Sequence, residues 1–231
     1  MRDDIVVNRH VRWQERWRDP ILTALLILLS LEVFVSVAFS SPHFQAAPVF
    51  VAVWFLLIIA AVLVAARHWV AVAAILLSSI FLLIGNTLRV RDPSRLTICL
   101  GSGALVVFMA ALGWVVWMAV FGPGRVTHHR IQGAVVLYLS IALSFAALYE
   151  ILLALIPGSI SGIAGRSDYL VLGRGVVYYS VTTLTSTGYG DLLPVHPLAR
   201  SLSNLEAVIG QLFPPTLLAR IVTLEVQARR R

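Results

Sequence analysis

Long apolar runs separated by short polar breaks make up most of the chain. Six of them are long enough to cross about 30 Å of hydrocarbon at about 1.5 Å per helical residue: Ile21–Ser40, Val49–Ala66, Trp69–Leu88, Leu96–Phe121, Ile131–Ile156 and Leu198–Val226. The breaks carry turn chemistry. "SPHFQAAP" holds two prolines, "RVRDPSR" joins charge to a proline, and "FGPGRVTHHR" combines glycines, a proline and bases. Only Arg67–His68 is thin, which predicts a tight turn between the second and third runs. The first run is too long for the core of a cleavable signal and lacks its small-residue cleavage site, so it reads as a retained span. Between the fifth and sixth runs the pattern changes. Pro157–Arg174 is rich in Gly, Ser and Pro, and Gly175–Thr185 is apolar but only eleven residues long, too short to span.

Composition agrees with a membrane protein: 59% of residues are hydrophobic and 13% charged, far from the balance of a wetted globular surface. The net charge of +7 comes from eighteen arginines with no lysine. In an apolar chain those arginines orient spans rather than bind nucleic acid, which is not an expected partner. An even number of spans puts both termini on one side. Placing them in the cytoplasm leaves twelve arginines inside and six outside, with "RVRDPSR" as the weakest point of the rule. In "NRHVRWQERWRDP", Trp13 and Trp17 recur at i and i+4 beside arginines, the pattern of an interfacial helix. Lone Cys99, in an apolar run, reads as a small hydrophobe.

The stretch "TLTSTGYGDLLP", Thr183–Pro194, places two glycines, a tyrosine and an acid in four residues of this apolar chain. Irregular backbone survives at membrane depth only where protein or a water-filled path surrounds it. A short helix, a glycine-rich stretch and then a full span describe a re-entrant loop. Gly188 and Gly190 accept left-handed dihedrals, so successive peptide planes there are free to turn their carbonyls the same way. A ring of such carbonyls from several subunits replaces the hydration shell of a monovalent cation, as in potassium-channel filters. The bland alternative is an ordinary turn, since Gly, Asp and Tyr are common in loops. The preceding short apolar helix and the flanking spans argue against it.

"YYSVTTLTSTGYGDLLP" resembles the pore helix and signature filter of tetrameric potassium channels, and the resemblance covers about Ile131–Val226. It implies that potassium is held by the carbonyls of Thr187, Gly188 and Tyr189 and by the carbonyl and hydroxyl of Ser186, with Gly190 completing the filter. It implies that Tyr189 turns from the ion and braces the filter near Tyr178 and Tyr179, and that Asp191 anchors the outer mouth. The chain departs from the family at two filter positions. Ser186 replaces the usual threonine, keeping the hydroxyl, and Thr187 replaces the usual valine, placing a hydroxyl behind the filter. Thr182 stands where some relatives carry a supporting glutamate, so Asp191 needs another partner.

In "NLEAVIGQLFPPTLLARIVTLEVQ" a glycine and a double proline interrupt a helical pattern, and proline inside a helix removes a hydrogen bond and clashes with the preceding turn. Pro214–Pro215 is expected to kink or locally open the last span. Gly210 lies nineteen residues after Asp191, a separation resembling the family's hinge glycine. Gly210, Pro214 and Pro215 are therefore expected to shape opening, with Leu218 and Val222 near an apolar constriction and Gln211 facing the cavity. The competing reading is a kink that serves only packing. Glu32, Glu150 and Glu206 are intramembrane acids. Glu206 is expected to reach pore-helix hydroxyls or a neighbouring subunit, while no partner is specified for the other two. His128 and His129 read as a solvated loop pair or as a pH-sensitive one.

The fourth run contains no arginine, and Arg89, Arg91 and Arg95 have the wrong spacing for gating charges. The expected fold is an all-α integral membrane protein of six spans with a re-entrant pore helix. Its parts are an interfacial segment (1–20), a four-helix domain resembling a voltage sensor without gating charges (21–121), a cytoplasmic linker (122–130), a pore domain (131–226) and a basic tail (227–231). "ARRR" after the last span leaves no cytoplasmic ligand-binding domain in this reading and suits anionic headgroups of the lipid bilayer. The expected function is a homotetrameric potassium channel of the plasma membrane, with potassium as permeating ligand, no cofactor and no catalysis. The alternatives are a weakly selective cation channel and, more remotely, a non-conducting subunit or a membrane enzyme.

Overall fold

A computed structural model describes residues 21–35, 47–65, 68–91, 94–121, 128–163 and 169–229. The chain is built from helices. These are α1 (21–35), which widens into a π turn over Leu31–Val35, then α2 (Ala47–Ala65), α3 (Trp69–Arg91), α4 (Arg95–Phe121) and α5 (His128–Leu155). A two-residue strand β1 (Ile160–Ser161) follows, then α6 (Tyr169–Leu184), strand β2 (Leu193–Pro194) and α7 (Pro197–Arg229). The interfacial segment before residue 21 lies outside the described residues, as do 122–127 of the linker and the last two residues.

Three helices, Trp69–Arg89, Arg95–Met118 and Arg130–Leu155, are long and apolar enough to cross a membrane. The expected first and second spans extend into residues outside those described. Ile21–Phe34 and Val53–Val62 are apolar but shorter, because the remainder of the first run falls outside the described residues. α7 has the length, but Ser201, Ser203, Asn204, Glu206 and Gln211 dilute its first half. One correction concerns α5, which starts at His128, so both histidines belong to the first turn of a helix and not to a loop.

Two apolar cores organise the helices. In the first, Leu25 and Leu29 of α1, Leu57 of α2, Ile75 of α3, and Phe108 and Leu112 of α4 close on Ala134, Val136 and Leu143 of α5. The second joins the later turns of α5, through Phe145, Tyr149 and Leu153, to Ile160, Val176, Tyr179 and Ala199. α5 thus belongs to both. Where α3 meets α4 the backbones nearly touch, because a Cβ added at Gly85 would lie 2.8 Å from the Gly101 Cα. Small residues permit such approach between helices in lipid. Ser94 caps α4, its Oγ accepting from the Thr97 amide at 3.3 Å.

β1 and β2 pair antiparallel, Ile160 opposite Pro194 and Ser161 opposite Leu193. The amides of Val195 and His196 also donate to the Ser159 carbonyl, at 3.0 and 3.2 Å. This clasp joins the turn after α5 to the segment that follows α6. Gly162, at φ 85°, takes a conformation that favours glycine, and a side chain there would collide with the Asp191 carbonyl. α7 then starts with Pro197 in its first turn, where a missing N–H costs no helical bond, and His196 Nδ1 accepts from the Leu198 amide at 3.2 Å.

Candidate functional site

α6 is the short helix that the apolar pattern places between the fifth and sixth runs, but it has 16 residues and not eleven. The difference arises at Gly173 and Arg174, which interrupt the apolar pattern without breaking the helix. A Cβ at Gly173 would lie 3.3 Å from Glu150 Oε1, so the helix passes close to α5 there. Sixteen residues rise about 24 Å, short of a full hydrocarbon core.

Beyond α6 the backbone alternates. Ser186 has φ 54°, Gly188 50° and Gly190 82°, with Thr187 and Tyr189 outside the positive-φ region. For serine this is an uncommon conformation, held here by surrounding bonds. The Ser186 amide donates to the Thr183 carbonyl at 2.9 Å, and the amides of Thr187 and Gly188 converge on the Thr182 carbonyl at 2.9 and 3.1 Å. The hydroxyls of Thr185 and Thr187 meet at 2.9 Å. Thr182 therefore supports the stretch through its carbonyl, while its own hydroxyl donates to Tyr179 O at 3.0 Å and does not reach Asp191. All residues from Thr185 to Asp191 are exposed on the single chain.

Tyr178 and Tyr179 are adjacent in sequence, so the helix sends them to different faces. Tyr178 stacks on Tyr189 with the rings 3° from parallel and their centroids 6.1 Å apart, and its hydroxyl donates to Asp191 Oδ1 at 3.2 Å. Tyr179 turns the other way, edge-on to Tyr149 at 4.9 Å and with its hydroxyl 2.7 Å from Ser203 Oγ. Of the two expected braces for Tyr189, only Tyr178 touches it. Tyr178 is also the partner that Asp191 lacked in the sequence reading.

Behind the site, Gly210 of α7 sits against the Leu184 carbonyl so closely that any side chain would overlap it. The Tyr138 hydroxyl donates to that same carbonyl at 3.2 Å, and its ring lies 5.5 Å from Phe213. α7 stays helical through Pro214 and Pro215, so no local opening appears. Proline has no amide proton, so the carbonyls of Gly210 and Gln211 lose their usual donors four residues on. Gln211, Pro214, Pro215, Leu218 and Val222 are all exposed on the single chain.

Two buried acids acquire partners that sequence order does not reveal. Arg89 of α3 donates to Glu150 Oε1 at 2.8 Å, and Ser102 of α4 donates to Glu150 Oε2 at 2.5 Å. The link joins α3 and α4 to α5 beside Gly173 of α6. Glu206 is fully buried among Ser180, Tyr149 and Ser203. Among the described residues no group of three or more His, Cys, Asp or Glu is placed to hold a metal ion.

Residues 134–227, from α5 through the short helix and its glycine-rich exit to α7, match a family described as an ion channel. The match supports an ion channel built on membrane helices. No curated protein and no solved structure matches the chain.

Proposed function

We propose that the chain is one subunit of a homotetrameric potassium channel of the plasma membrane, with both termini cytoplasmic. The observation that carries this reading is the alternation of left-handed dihedrals at Ser186, Gly188 and Gly190 directly after a short helix. A two-residue backbone repeat of that kind turns successive carbonyls toward one line. Four copies around an axis would make a ladder of oxygen rings able to replace a potassium ion's hydration shell. In this reading the carbonyls of Ser186, Thr187, Gly188 and Tyr189 hold potassium, with the Ser186 hydroxyl at the inner end and Gly190 at the outer. The exposure of this whole stretch on one chain fits a site completed by neighbours.

The C-terminal end of α6, the negative pole of its dipole, would face the ion path below the filter. Tyr178 and Asp191 would hold the outer mouth. Gly210, Pro214, Pro215, Leu218 and Val222 would form the hinge and inner constriction, with Gln211 in the cavity between. The protein contributes coordination and a gate, and flux follows the electrochemical gradient.

Ion flux from liposomes loaded with potassium or with sodium tests this, with Gly188→Ala as control. Potassium flux well above sodium flux, abolished in the variant, is the expected result. Equal fluxes abolished in the variant would replace the reading with a weakly selective cation pore. Absence of flux under every gradient would overturn conduction.

A further inference from the structure

Where α5, α6 and α7 meet, six oxygen–oxygen contacts link Glu206 to the hydroxyls and carbonyls around it. Ser180 Oγ lies 2.7 Å from the Ala142 carbonyl and 2.5 Å from Glu206 Oε1. Tyr149 Oη lies 2.7 Å from Glu206 Oε2 and 3.2 Å from Ser203 Oγ. Ser203 Oγ in turn lies 2.7 Å from Tyr179 Oη and 2.8 Å from the Ala199 carbonyl. Glu206 is 0% exposed, and among the described residues no arginine or histidine lies in ion-pair range of it, in contrast to Glu150 with Arg89.

The hydroxyls of Ser180, Tyr149, Tyr179 and Ser203 carry one proton each, whereas a carbonyl or carboxylate oxygen carries none. With Glu206 as a carboxylate, four protons must serve six contacts. Ser180 then donates either to Glu206 or to Ala142, and the other contact, at 2.7 Å or closer, faces lone pair against lone pair. With Glu206 as a carboxylic acid the protons run in order. Glu206 Oε1 donates to Ser180, Ser180 donates to the Ala142 carbonyl, and Tyr149 donates to Glu206 Oε2. Tyr179 donates to Ser203, and Ser203 to the Ala199 carbonyl. Only the longest contact, at 3.2 Å, is left without a proton.

From this count we propose that Glu206 is a positioning residue that works as a neutral acid, its proton tying α7 through Ser180 to α6 and α5. The junction lies on α6, one helix from the glycine-rich stretch, so the same proton fixes where that stretch is hung. An unpaired charge here would be costly in a medium without water. A neutral donor and acceptor on one side chain meets both neighbours. Glutamine does the same, since its amide nitrogen donates to Ser180 while its carbonyl accepts from Tyr149.

The test is an infrared difference spectrum of the full-length protein in liposomes at neutral pH, wild type minus Glu206→Gln. Loss of a protonated-carboxyl carbonyl band, with carboxylate bands unchanged, is expected. Loss of carboxylate bands instead would overturn the proposal. A second arm compares potassium flux: Glu206→Gln is expected to conduct within about twofold of wild type and Glu206→Ala to lose most of it. A folded Glu206→Gln protein that no longer conducts would count against a neutral acid. The proton is independent of what passes the pore, so if wild type conducts nothing the channel reading fails alone and the spectrum still decides this one.

Discussion

Gly210 of α7 lies against the carbonyl of Leu184, the last residue of α6, with no space for even a methyl group between them. The glycine that sequence separation singles out as a hinge is thus also a contact surface, and its absent side chain lets the last long helix brace the end of the short one.

Gly210→Ala is therefore expected to destabilise the protein whether or not the helix bends. Forcing a methyl into a filled contact costs typically about 1–3 kcal/mol. A thermal melt in detergent should show a lowered midpoint, together with reduced flux. An unchanged midpoint with altered opening would favour a hinge alone.

Tyr178→Phe removes the hydroxyl that Asp191 accepts while leaving the ring stacked on Tyr189. Potassium flux should start at the wild-type rate and then decline faster as the outer mouth loosens. Tyr178→Ala, which also removes the stacking, should reduce the initial rate. Time courses of liposome flux distinguish the two effects.

Arg89 and Glu150 are both 9% exposed at their side chains. Removing one partner of a buried pair typically costs about 3–5 kcal/mol, because the other charge is left uncompensated. Arg89→Met and Glu150→Met should each lower thermal stability sharply, whereas the double variant should recover much of the loss. Additive losses in the double-mutant cycle would show that the two side chains act independently.

Replacing Pro214 and Pro215 together by alanine returns amide donors to the carbonyls of Gly210 and Gln211. Interior proline costs a helix about 3 kcal/mol, so α7 should stiffen and the open fraction, read from flux, should fall. Unchanged flux would leave the prolines a packing role.

What the sequence could and could not disclose follows from the range of each signal. The long apolar runs and the Ser186–Asp191 stretch are local patterns, readable from residue type and spacing. The apolar pattern alone makes α6 too short, because Gly173 and Arg174 interrupt that pattern without interrupting the helix. Charge distribution alone places Arg89 in an outer loop, yet it is buried against a glutamate 61 residues away. No local rule reports such a pairing. The two-residue strands were illegible for a similar reason, since strands that short carry no periodicity and exist only through their partner. The resemblance implies a single brace at Tyr178 and Tyr179, whereas a helix turns adjacent residues to different faces.

The β1–β2 clasp and the end of α6 hold the glycine-rich stretch like a span between two abutments. With both ends fixed, the chain between Leu184 and Leu193 has little freedom to translate or lengthen. Its remaining soft motions are rotations of single peptide planes about φ and ψ, since the peptide bonds themselves stay planar. A change of state at this site would then take the form of individual carbonyls swinging in place, as slats turn in a fixed frame.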